Sequence, residues 1–104
     1  MVSVDTLLME VYILAETRTR IEPEIEVYAY LQDLRHALKH GAHVSFQAER
    51  LVDQNRDVRY TNRFTVADLF PNVHNILSSS LRFFIAVQSP APLATHNTLL
   101  ITFG

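Results

Sequence analysis

Hydrophobic and polar positions follow two different rhythms along this chain. Val27, Tyr30, Leu31, Leu34, Ala37 and Leu38 recur at three- and four-residue intervals and build one apolar stripe, the mark of an amphipathic helix. Its ends carry matching signals and set it at about residues 23–40. Pro23 suits a first helical position, and Glu24 and Glu26 fall where the helix dipole favours negative charge. Lys39 and His40 lie in the favourable last turn, and Gly41 can take the left-handed conformation that ends a helix.

Beyond Gly41 the period drops to two. Val44, Phe46 and Ala48 alternate with Ser45, Gln47 and Glu49, and Val58, Tyr60, Phe64 and Val66 alternate with Arg59, Thr61, Arg63 and Thr65. This predicts a hairpin of residues 43–52 and 58–66 around the polar loop Asp53-Gln54-Asn55-Arg56-Asp57. Pairing symmetric about that loop sets Phe46 opposite Phe64 and Val44 opposite Val66. It also brings Glu49 near Arg59 and Arg63 on the other face, and a one-residue slip would turn the aromatic rings into water.

Residues 6–16 fit both rhythms. Met9, Val11, Ile13 and Ala15 alternate as in a strand, while Leu7, Leu8, Val11, Leu14 and Ala15 fit a helical face; β-branched and aromatic content favours the strand. Asn72, after Pro71, can cap a short helix at about 73–81 carrying Val73, Ile76, Leu77 and Leu81, which Ser78 to Ser80 weaken. Arg82 to Gln88 and Thr98 to Phe103 read as strands, separated by a loop with two prolines. The expected fold is α+β: a small antiparallel sheet with one long helix and one short one, arranged as a ferredoxin-like split β-α-β. The helices would cover one sheet face and a second subunit the other. With a helical first segment, the alternative is a helix pair packed on a meander.

Charge sharpens this picture. The 104 residues make one domain. Of the twenty Asp, Glu, Lys and Arg residues, eighteen precede Phe64, leaving only Asp68 and Arg82 in residues 64–104. A tail so poor in charge and so rich in Phe, Ile, Leu and Val is either core or interface. The expected partner is therefore a second copy of the chain, held through residues 64–104. A net charge of −2 gives no long-range basic field for nucleic acid. Without cysteine there is no disulfide framework, thiolate nucleophile or Cys-based zinc site. The N-terminus lacks a basic signal-peptide start, and apolar stretches such as Phe83 to Val87 fall far short of a bilayer span. These features suggest a cytoplasmic protein, away from membranes and with no cofactor.

Two constellations on the long helix could carry chemistry. Arg35-His36-Ala37-Leu38-Lys39-His40 resembles the Arg-x4-6-His motif of HEPN-type ribonucleases. The resemblance covers six residues. It implies a helical bundle that pairs Arg and His across a dimer and cleaves RNA without metal. His40 would be the acid/base, Arg35 the phosphate clamp and His36 the accessory polar group. Alternatively, Asp33, His36 and His40 share one helix face, with His43 just past the turn, a donor set that suits zinc or another first-row divalent ion. Otherwise these are exposed helical histidines. Ser78 to Ser80 lack a nucleophile-elbow frame, and two glycines leave no phosphate loop. The leading expectation is a homo-oligomeric interaction or regulatory module. A toxin-type ribonuclease and a His/Asp metalloprotein are the alternatives.

Overall fold

The computed structural model describes residues 4–15, 19–51, 59–89, 93 and 95–104. Helix α1 (Val4–Ala15) leads into strand β1 (Thr19–Glu22) and helix α2 (Val27–Lys39). Strands β2 (His43–Leu51) and β3 (Arg59–Phe64) follow, then short helices α3 (Val66–Leu69) and α4 (Val73–Ser78), joined by a 3-10 turn over Phe70–Asn72. Strands β4 (Arg82–Gln88) and β5 (Thr98–Phe103) complete the fold. The five strands form one sheet in the order β1-β5-β4-β2-β3, and every ladder is antiparallel. The α+β class is thus as expected. Element order along the chain suggests a ferredoxin-like split, but β1 sits at the sheet edge beside β5.

Residues 4–15 are helix and not the strand favoured above, and burial shows why. Leu7 and Val11, one turn apart, are 0% and 1% exposed, whereas Met9 and Ile13 of the alternating set are 59% and 55% exposed. A strand would put Met9 and Ile13 on the same face as Leu7 and Val11. The helix rhythm lets Leu7 and Val11 meet the core, and Glu10 reaches His74 of α4 at 2.9 Å.

Helix α2 begins later than Pro23 suggests. Glu26 is its N-cap, and its carboxylate accepts from the Tyr28 and Ala29 amides at 3.0 and 2.7 Å. Two orphan donors are satisfied by this one side chain. The Thr19-Arg20-Ile21-Glu22 segment ahead of it alternates inward and outward as an edge strand. At the far end Gly41 has φ +79°. The Ala42 amide reaches the Ala37 carbonyl at 3.0 Å and the Gly41 amide the Leu38 carbonyl at 3.4 Å. This is the paired-bond termination that glycine permits without steric cost.

The hairpin register matches the expected one at Phe46↔Phe64. The Val44–Val66 pair is not made, because Thr65 caps α3 and Val66 is already helical; Val44 has its register partner on the other side of β2, in Val87 of β4. The expected loop from Asp53 to Asp57 lies outside the described residues. The short helix ends at Ser78, not near residue 81. Ser78 and Ser79 donate back to the Asn75 carbonyl and Ser80 to that of Ile76, using the carbonyls that a further turn would need. Asn72 does not cap with its side chain, which donates instead to the Asp68 carbonyl.

All helices lie on one sheet face. Phe46, Ala48, Phe83, Ile85, Val87, Leu99 and Ile101 point from the sheet into a core closed by Leu7, Val11, Tyr30, Leu31, Leu34, Ala37, Leu69, Phe70, Val73, Ile76 and Leu77. Phe46 is stacked on Phe83 with centroids 5.9 Å apart and lies 6.0 Å from Phe70. Among the described residues no helix is long and apolar enough to cross a membrane.

Tyr30 is fully buried and its hydroxyl has no hydrogen-bond partner among the described residues. Burial pushes this phenol above its ordinary pKa. An unsatisfied buried hydroxyl is a net cost. Tyr30→Phe is therefore expected to leave stability unchanged or raise it by about 1 kcal/mol in urea unfolding; a loss of that size would contradict the packing described. Phe46→Ala is expected to cost about 3–5 kcal/mol by the same measurement, a large part of a total of roughly 5–15 kcal/mol.

Candidate functional site

The histidine-bearing end of α2 is built by the helix itself. Tyr30, Leu31, Leu34 and Ala37 are buried. That leaves His36 and His40 on the outer side, both exposed, with Lys39 between them in sequence. The two imidazoles lie 4.1 Å apart between centroids with a 35° tilt. The His40 Nδ1 is 2.8 Å from the His36 carbonyl oxygen. A carbonyl only accepts, so in this contact the His40 Nδ1 is the donor. Arg35 is half-buried and engaged with its surroundings.

The four residues considered as metal ligands do not converge. Asp33 accepts from the Thr95 amide at 3.2 Å, fastening the segment before β5 to α2. His43 is the first residue of β2, exposed and paired in register with Gln88. Among the described residues no group of three or more His, Asp or Glu side chains is placed to hold a metal ion. Arg35, His36 and His40 do share the last turns of one helix, in an α+β chain and not in the bundle that the ribonuclease resemblance implies. The lone histidines differ too: His74 is engaged by Glu10, while His96 is exposed next to Asn97, whose side chain accepts from the Leu93 amide.

The opposite sheet face forms a second candidate, one that residue-by-residue motif reading missed. Gln47, Glu49, Thr61, Arg82, Phe84 and Leu100 line a shallow concavity of about 310 Å³. Phe84 and Leu100 are direct partners across β4 and β5. Glu49 lies 3.6 Å from Arg82, and Arg63 is two places from Glu49's register partner Thr61, on the same face. The signal was the alternation of β4 and β5: Phe84, Ala86 and Leu100 fall out of phase with the buried set, so these strands are apolar on both sides.

Compared with protein-family models, with curated proteins and with solved structures, the chain finds no match in any of the three. Its function is therefore argued from these surfaces alone.

The hydrogen bonds separate structural from solvent-facing residues on α2. Asp33→Ala is expected to lower stability by about 1 kcal/mol, since it strands the Thr95 amide. His36→Ala should stay within about 0.5 kcal/mol of the parent. Thermal unfolding followed by circular dichroism checks both, and equal losses would contradict the assignment.

Proposed function

We propose that the chain is a small cytoplasmic interaction module that forms a homo-oligomer through the open face of its sheet. The observation that carries this reading is the Phe84–Leu100 pair at the middle of a sheet face that no described element covers. The charge-poor C-terminal half supports it in a narrower form than composition suggested. Phe70, Ile76, Phe83, Ile85, Leu99 and Ile101 are buried in the chain's own core. Phe84 and Leu100 remain half-buried on the free face, beside Ala86 and Thr102. An antiparallel sheet with a solvated face ordinarily reads polar on that side; here the centre is apolar.

A second copy suits this surface. A two-fold contact sets a patch against itself, so a rim of one sign would repel its own copy. The rim here carries both signs, in Glu49 with Arg82 and Arg63. Edge-to-edge pairing is less suited: β1 presents Arg20 and Glu22, themselves paired at 2.8 Å, and β3 presents Arg63, the kind of charged edge that blunts strand addition.

Leu100→Glu tests the proposal. Burying that carboxylate between two sheets would cost about 3 kcal/mol, weakening association about a hundredfold. Sedimentation equilibrium should show an oligomer for the parent and a folded monomer for Leu100→Glu. Met9→Glu, on the exposed side of α1, should leave the oligomer intact. A monomeric parent, or dissociation by Met9→Glu alone, would overturn the reading.

A further inference from the structure

The outer side of α2 holds a feature that sheet-face association does not use. His36 and His40 are four residues apart and exposed, with ring centroids 4.1 Å apart and a 35° tilt between the rings. His40 donates its Nδ1–H to a backbone carbonyl at 2.8 Å. That is the outer-shell arrangement which orients a ligating imidazole and raises its basicity. His36 stands in the last turn of the 13-residue helix and His40 is its C-cap, at the end of the helix dipole that favours a cation. Imidazole pairs suit borderline cations such as zinc, nickel and copper. Lys39 and Arg35, the sequence neighbours of the two histidines, oppose a cation, and solvent and salt weaken that repulsion at the surface.

We propose that His36 and His40 form half of a binding site for a divalent cation of the zinc class, and that the same two histidines of a second copy complete it. Completion from outside is required by coordination chemistry. A stable tetrahedral site needs four donors at about 2.0–2.1 Å for nitrogen, and no third carboxylate or imidazole of this chain joins the pair among the described residues. A two-fold contact between outer helix faces supplies two further imidazoles from identical residues. This contact lies on the helix layer, opposite the sheet face, so the ion would join chains independently of the Phe84–Leu100 surface.

Cobalt(II) titration of metal-free protein tests the site, because its visible absorption separates four-coordinate from six-coordinate ions. The site predicts an intense tetrahedral spectrum saturating at one ion per two chains. It should be lost in His36→Ala and in His40→Ala, both exposed positions whose folding circular dichroism verifies, and kept in His96→Ala. Zinc should raise the sedimenting mass of the Leu100→Glu variant, and EDTA should reverse this. That arm reads the metal contact even if the sheet-face reading fails. Absence of saturable binding, a weak octahedral spectrum at one ion per chain, or binding indifferent to His36 would each overturn the proposal.

Discussion

Phe46 ties both ladders of β2 to the helix layer. Across the sheet it sits opposite Phe64 on β3 and Ile85 on β4, so its position sets the register of both ladders of β2. Its ring stacks on Phe83 and meets Phe70 in the 3-10 turn, so the same residue fixes where the α3–α4 segment lands. Aromatic contacts of this geometry add to the area that they bury. Moving Phe46 by one position would turn its strand inside out. Glu49 would then face the core, and the Glu49–Arg82 contact on the free face would be lost. Core and open face are two sides of one register.

That register explains why the molecule is unequally covered. The strands present Phe83, Ile85, Leu99 and Ile101 to the helices and Phe84, Ala86 and Leu100 to the other side. The four helices are spent on the first set. Residue by residue, then, the low charge of the C-terminal half has two origins: most of it is interior, and a smaller part is surface that no described element covers. The proposed self-association concerns only the second part. The histidine pair belongs to a different layer and owes its placement to α2, whose buried stripe turns His36 and His40 outward.

Much of this was legible in the sequence where independent signals agreed. The α2 stripe, the Gly41 stop and the Phe46–Phe64 pairing each rested on periodicity supported by turn or cap chemistry. The rest was obscured by competition between local rules. In α1 both periods were present in the letters, and only the burial of Leu7 and Val11 against α2 and α4 decides between them. Pro23 looked like a helix start, but Glu26 offers two hydrogen bonds to free amides and wins. Thr65 ended the second hairpin strand early, because its hydroxyl both accepts from the Asp68 amide and donates to the Asp68 carboxylate. For the candidate sites, helical spacing put His36 and His40 within reach of each other, and their ring centroids lie 4.1 Å apart. It could not foresee that Asp33 holds the Thr95 amide, a contact across 62 residues of sequence. The open face was hidden for the opposite reason: no motif marks it, and it exists only once five strands are ordered.

The central claim is that the uncovered face of the sheet meets its own copy. Isotope-filtered nuclear Overhauser spectroscopy on an equal mixture of labelled and unlabelled chains addresses it at the level of residues. Transfer between chains among Phe84, Ala86 and Leu100 is the predicted result. Transfer confined to Met9 and Ile13 of α1, or none at concentrations where the protein sediments as an oligomer, would contradict it.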